Sequence, residues 1–246
     1  MNRPAGLILA AGRGERLRPG VCGLPKPLVE LDGITLLARQ TLELSGAGAF
    51  PITAIVNSET AALISDRAIG LPSELSLIVR DTANSMETLL AGADHLGCDR
   101  FLAATVDAVL GTGELNRFAA KSALASAADS ASSFDGALGL VRWRGDRKPL
   151  FAQVDSEARI TQLGSVPSNF VTAGVYYLPY RIIDFGEKAR RAGVGALREF
   201  LALLLSEGLR LKGVFVDRVI DVDEPADLAA ARNLVRAEGI RRNPYQ

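Results

Sequence analysis

The densest chemistry in the chain lies at residues 7–19, LILAAGRGERLRP, followed by LPKPL at 24–28. A short apolar run leads into a loop carrying Gly12 and Gly14. Glycine lets main-chain N–H groups come close to a phosphate, where they act as fixed hydrogen-bond donors. Arg13, Arg16 and Arg18 sit in or beside the loop, and Lys26 follows between two prolines. Together these residues make a cradle suited to a triphosphate. The competing reading is a solvated basic loop, a common false positive of glycine-rich motifs. Leu17 stands where a dinucleotide fingerprint needs its third glycine, and no G-K-[ST] follows, so neither of those phosphate motifs is present.

Composition narrows the field. The 28 Lys+Arg and 28 Asp+Glu of the 246 residues cancel, so there is no general basic footprint for nucleic acid. Only five of the basic residues are lysines, at 26, 121, 148, 188 and 212, so arginine abundance carries little weight and a lysine in a motif carries more. One histidine, His95, excludes His-rich metal sites and argues against a Ser-His-Asp catalyst. Two cysteines, Cys22 and Cys98, cannot build a disulfide scaffold and fit no zinc spacing. No apolar run reaches the roughly 18 residues of a membrane span, and the N-terminal run is too short for a signal peptide. A cytoplasmic protein is expected.

The elements that must position the loop alternate. Residues 6–10, 52–57, 75–80 and 101–106 read as strands, and the segments around 34–44, 85–96 and 112–124 as helices. Residues 11–27 read as loop, and Ser58 is the candidate cap of the segment after it. This β-α alternation predicts a mostly parallel, Rossmann-like sheet flanked by helices, with ligands at the carboxyl ends of the strands after Ala10 and Val106. Residues 126–133 read as loop. Strands are expected at 136–143, 151–154, 159–163, 171–178, 211–216 and 219–222, and helices at 196–205 and 224–236.

The segment LILAAGRGERLRP with LPKPLVEL resembles the N-terminal signature of nucleotidyltransferases that join NTPs to phosphorylated sugars or alcohols. Gly12, Gly14, Arg16 and Lys26 match its motif position by position. Three further stretches resemble family segments in the right order: FLAATVDAVL (101–110), NFVTAGVYYL (169–178) and IDVDEPADL (220–228). The resemblance implies a single nucleotidyltransferase domain over 1–246 of the nucleotide-diphospho-sugar transferase type. Residues 1–125 would bind nucleotide, and 126–246 would bind the acceptor and complete a metal site. It further implies that Ala10, Ala11, Gly12, Arg13 and Gly14 hold the nucleotide, with Asn84 and Ser85 at the nucleoside. Arg16, Lys26 and Asp107 would be catalytic, and Asn169 and Gly174 would lie against the acceptor. Asp107 and Asp221 would hold Mg²⁺, which needs only one or two carboxylates because it keeps waters and phosphate oxygens. The implied partners are an NTP and a phosphorylated small molecule, with no nucleic acid and no membrane.

Structural alternatives stand beside several of these assignments. Asp223 could add a ligand or a water contact at the metal; alternatively, Asp221 and Asp223 could be turn and cap residues before the last helix, and Asp107 a plain loop carboxylate. Ser85 could cap its helix rather than touch a base. DTANSMETLL (81–90) also resembles members that transfer CMP to phosphocholine and similar alcohol phosphates. The second lysine that many sugar-phosphate members carry is missing from 163–168, leaving Lys148 or Arg144 as candidates for the acceptor phosphate. Trp143, Tyr176 and Tyr177 could line an acceptor pocket, hold a quaternary ammonium, or simply pack in the core. A glycosyltransferase would be expected to show D-x-D where this chain reads Val106-Asp107-Ala108. The expected reaction is therefore NTP plus a sugar 1-phosphate giving NDP-sugar and pyrophosphate. A cytidylyltransferase for a small alcohol phosphate, or a non-catalytic nucleotide or sugar sensor, is the alternative.

Overall fold

The N-terminal apolar run forms strand β1 (Ala5–Ala10), and every residue of it is buried. Burial on both faces marks a central strand of a parallel sheet. The computed structural model describes residues 3–127, 133–145 and 149–237. After the glycine loop a small hairpin, β2 (Glu30–Leu31) and β3 (Ile34–Thr35), turns at Asp32-Gly33. Both turn residues have positive φ, 51° and 81°, as such tight hairpins require. The hairpin delays helix α1 (Leu36–Gly46), whose cap Thr35 accepts the Ala38 N–H at 3.1 Å.

The alternation then continues through β4 (Ile52–Val56), α2 (Ser58–Asp66), β5 (Leu75–Val79), α3 (Ser85–Leu96) and β6 (Arg100–Thr105). β4 and β6 flank β1 in parallel, and β5 extends the sheet beyond β4. A three-residue strand, β7 (Ala108–Leu110), follows Asp107 and leads to α4 (Glu114–Ala127). The end of this helix takes up residues 126 and 127 of the expected loop, and 128–132 lie outside the described residues.

The second half adds β8 (Gly136–Arg142), β9 (Phe151–Val154), β10 (Ile160–Gly164) and the long β11 (Phe170–Pro179). Helices α5 (Gly186–Arg191) and α6 (Leu197–Ser206), strands β12 (Leu211–Phe215) and β13 (Val219–Asp221), and helix α7 (Pro225–Ala237) complete the described chain. β11 runs antiparallel to β6, β8 and β9, and β12 runs parallel to β8. A nine-stranded mixed sheet with a parallel centre therefore takes strands from both halves. β13 pairs with β7 in a small second sheet at the carboxyl end of β6.

The period of two along β1 divides the core. Ile8 and Ala10 join one cluster with Leu37, Phe118 and Leu234, from α1, α4 and α7. Leu7 and Leu9 join the other with Leu89, Ala189 and Phe200, from α3, α5 and α6. Among the described residues no helix is long and apolar enough to cross a membrane.

Candidate active site

The loop after β1 is shaped from within. Ala10 is fully buried, and the Ala11 carbonyl accepts the Asn57 side-chain amide at 3.1 Å. Asn57 also accepts the Thr60 N–H at 2.8 Å. It therefore caps α2 and ties it to the loop, a role assigned above to Ser58. Gly14 has φ +62°, and a Cβ there would lie 2.8 Å from the Lys26 Cβ. Gly12 differs: nothing lies within 4 Å of where its Cβ would be, so it borders open space. Arg13 projects into solvent. Arg18 is committed to structure, donating to Glu59 through both terminal nitrogens and to the Arg13 carbonyl at 2.9 Å.

Lys26 enters a short 3-10 turn between Pro25 and Pro27 and is buried. Its ammonium donates to Asp107 Oδ2 at 2.7 Å and to Asp223 Oδ1 at 2.6 Å. Arg16 takes the other Asp223 oxygen at 2.7 Å. Burial works against the Lys26 charge, but Asp107 and Asp223 outweigh it and hold the ammonium above its usual range. Burial would raise the Asp223 carboxyl, but Lys26 and Arg16 hold it below the usual range.

The topology explains this meeting of distant residues. Asp107 follows the central strand β6, and the β7–β13 ladder aligns Asp221 with Ala108. The Val222 N–H then donates to the Asp107 carbonyl at 3.1 Å, which brings Asp223 level with Asp107. Asp223 does not spend its carboxylate on capping α7. Asp227 does that instead, accepting the Asp223 and Glu224 N–H groups at 3.0 and 2.7 Å. The acid that joins Asp107 on Lys26 is thus Asp223, whereas Asp221 lies in the ladder and faces a neighbouring cavity.

Two cavities of about 850 Å³ each adjoin this cluster. The first is bordered by Gly12, Gly14, Lys26, Asn84, Ser85 and Asp107, and also by Asn57 and Asp81. Sequence reasoning passed over those last two, although Asn57 at a strand end before a helix was a visible signal. Asp81 accepts both the amide and the hydroxyl of Ser58. These hydrogen bonds hold its carboxyl below the usual range. Asn84, not Ser85, caps α3: its Oδ1 accepts the Glu87 N–H at 3.0 Å. Ser85 Oγ accepts the Leu197 N–H at 2.8 Å and ties α3 to α6.

The second cavity is bordered by Arg16, Asp221 and Asp223 on one side and by Arg142, Arg144, Thr172 and Arg218 elsewhere. Among the described residues, Arg142, Arg144 and Arg218 have no ion-pair partner. Lys148, the other candidate for an acceptor phosphate, lies outside the described residues.

Gly174 and Asn169 fall differently from expectation. Gly174 has φ +71° at a register shift in β11, and a Cβ there would lie 2.7 Å from both Ala108 Cβ and Thr105 Oγ1. It permits the close packing of β11 on β6 and β7 but borders neither cavity. Asn169 is exposed and also borders neither. Thr172, two residues before Gly174, holds the cavity position instead. The aromatic candidates pack elsewhere. Trp143 sits edge-on to Phe151 at 5.3 Å, and Tyr176 and Tyr177 are buried. Burial pushes both phenols up. His95 is exposed near the end of α3, and Cys22 is exposed in the loop.

The donor set suits a hard divalent cation. Two carboxylates already converge on one ammonium, and such a cation takes carboxylate oxygens together with waters and phosphates. Among the described residues no group of three or more His, Cys, Asp or Glu is placed to hold a metal, so a site here would draw its remaining ligands from substrate and water.

A sequence model of the MobA-like NTP transferase domain matches residues 6–167. Mannose-1-phosphate guanyltransferase of Candida albicans is 42% identical over 60 residues, which are 24% of this chain and 17% of that protein. The corresponding enzyme of Pichia angusta is 41% identical over 59 residues, 24% of this chain and 16% of that protein. The likeness to these relatives is therefore local, covering under a fifth of their length. Among solved structures, the inositol-1-phosphate CTP transferase from T. maritima superposes with a TM-score of 0.78 at 19% identity, covering 98% of both chains. A putative glucose-1-phosphate thymidylyltransferase from Bacillus anthracis gives 0.79 at 17% identity, again over 98% of both chains. The fold is that of the nucleotide-diphospho-sugar transferases.

Proposed function

The chain belongs to the MobA-like NTP transferase family, and we propose that it transfers a nucleotidyl group from an NTP to a phosphorylated acceptor, releasing pyrophosphate. The observation that carries this reading is the shared wall. Lys26 and Asp107 border the cavity at the glycine loop, while Arg16 and Asp223 border the one at the arginines, and hydrogen bonds link all four residues. A nucleophile and an electrophile placed in the two cavities would meet at that wall.

In this reading the NTP lies in the first cavity. Its triphosphate runs along Gly12, where the space is open, and its nucleoside lies near Asn84 and Ser85. Asn84 Oδ1 is committed to the helix cap, so its amide N–H₂ is the group left for a base edge. The acceptor phosphate enters the second cavity, where Arg142, Arg144 and Arg218 attract it in place of the missing lysine. Phosphate anions repel one another, so Lys26 and Arg16 must offset their charge before in-line attack on the α-phosphorus can occur. A phosphate monoester is already ionised near pH 7, so the chain need supply no general base. Asp107 and Asp223 would hold Mg²⁺, with Asp221 beside them in the acidic wall. When bound, the ion would contribute charge neutralisation to the transfer.

The acceptor favoured is a sugar 1-phosphate or a polyol phosphate. Among the described residues no aromatic ring borders the second cavity, and recognition of a quaternary ammonium such as choline typically uses such rings. With an NTP as donor, the compartment that fits this reading is the cytoplasm.

The test is a matrix of four NTPs against phosphorylated sugars, polyols and phosphocholine, read as metal-dependent pyrophosphate release. One productive NTP–acceptor pair is expected, with turnover lost in Asp107→Asn while the protein remains folded by circular dichroism. NTP binding without pyrophosphate release across the whole matrix would refute the reading, as would undiminished turnover in Asp107→Asn.

A further inference from the structure

The Lys26 ammonium occupies the place where a cation would bind. It contacts one oxygen each of Asp107 and Asp223, and only 10% of its side chain is exposed. Arg16 contacts the remaining Asp223 oxygen. Two cations thus balance two carboxylates, and the cluster is formally neutral. A divalent cation entering between the same carboxylates would meet an ammonium at contact range, where repulsion in a part-buried site is strong.

The root of Lys26 is fixed, because the Gly14 backbone lies tightly against its Cβ. Lys26 borders the same cavity as Gly12, and the space beside Gly12 is open. A triphosphate lying there would offer the ammonium new anionic partners. We propose that Lys26 is the resident counter-ion of the Asp107–Asp223 pair. Divalent cation and polyphosphate then bind as a unit, because the phosphates draw the ammonium off the carboxylates that the cation takes. The proposal rests on the nucleotidyltransferase reading for the identity of the polyphosphate, but the competition at the carboxylates is independent of turnover.

Mn²⁺ serves as the probe, with its affinity for the nucleotide-free protein measured by electron paramagnetic resonance. Wild type should bind weakly. Lys26→Met and Lys26→Gln, which remove the charge, should bind at least about tenfold more tightly. Lys26→Arg, which keeps it, should not. Equal affinity in wild type and the neutral variants, or no binding by any of them, would overturn the proposal.

A second measurement uses the wild-type chain alone, should the neutral variants fail to fold. With only five lysines in the sequence, ¹⁵Nζ resonances can be assigned individually. Mg²⁺ alone should leave the Lys26 signal in place, and Mg²⁺ with tripolyphosphate should shift it. A shift with Mg²⁺ alone overturns the idea. Competition at the carboxylates without pyrophosphate release in the substrate matrix would remove the proposed reaction but not this device, and the reverse result would remove only the device.

Discussion

Gly12 and Gly14 are two residues apart in one loop, yet the structure predicts opposite consequences for the same substitution. At Gly14, alanine would adopt φ +62°, which costs a residue with a Cβ about 1–2 kcal/mol. Its Cβ would also lie 2.8 Å from the Lys26 Cβ. That contact is with the root of a buried side chain, not its flexible end, so relief requires moving the turn at Pro25–Pro27, and overpacking of this kind costs about 1–3 kcal/mol. The expected sum of about 2–5 kcal/mol lowers Tm by roughly 5–15 °C in a chain of this size. At Gly12 no positive φ is needed and no atom lies within 4 Å of the added methyl, so stability should change by less than about 0.5 kcal/mol. The methyl would instead occupy the space assigned to the triphosphate, raising KM for the NTP by about tenfold or more at unchanged Tm. Thermal melts paired with pyrophosphate-release kinetics separate the two. A Gly12→Ala enzyme with wild-type KM would show that the phosphates do not run along this loop. A Gly14→Ala protein with wild-type Tm would refute the packing of Lys26 on it.

Three further outcomes follow from the same geometry. Asn84→Ala should lose about 1 kcal/mol through the α3 cap, measured by urea unfolding, whereas Asn84→Asp should keep the cap and raise KM for the NTP by removing the amide donor. Arg144→Ala should raise KM for the acceptor and leave that for the NTP unchanged, while Asn169→Ala should alter neither in steady-state kinetics. Arg190 holds Glu87 through two hydrogen bonds, at 2.7 and 2.9 Å, joining α5 to α3, and keeps that carboxyl below its usual range. A depressed carboxyl stabilises above its unfolded pKa and loses that contribution as pH falls through the folded value. The stability difference between wild type and Arg190→Ala, about 0.5–1 kcal/mol at pH 7 for so exposed a pair, should therefore shrink progressively in unfolding curves taken at pH values falling below the ordinary glutamate range.

What the sequence made legible was set by range. Local periodicity located β1, β4, β5, β6 and helices α1, α3 and α4 but not α2, because hydrophobic spacing reports which face is buried and only Thr60 of α2 is fully so. Cap identity slipped by one residue at both Asn57 and Asn84, where Asn and Ser stand side by side and each could accept the bond. The short strands were harder. β7 and β13 have three residues each, too few for a period to show, and only their pairing makes them strands. That pairing in turn determines which acid joins Asp107. Read locally, Asp223 looks more like the cap of α7 and Asp221 like the metal ligand. The contact that decides the matter is the Val222 N–H on the Asp107 carbonyl, which spans over a hundred residues. Once it is made, Asp227 relieves Asp223 of capping, and Lys26, fixed by its prolines and by Gly14, finds both acids within reach. Asn169 illustrates the same limit. The family resemblance implied an acceptor contact for it, but Thr172 and not Asn169 borders the second cavity. Residue type named the chemistry of this site, whereas long-range register decided which side chains take part.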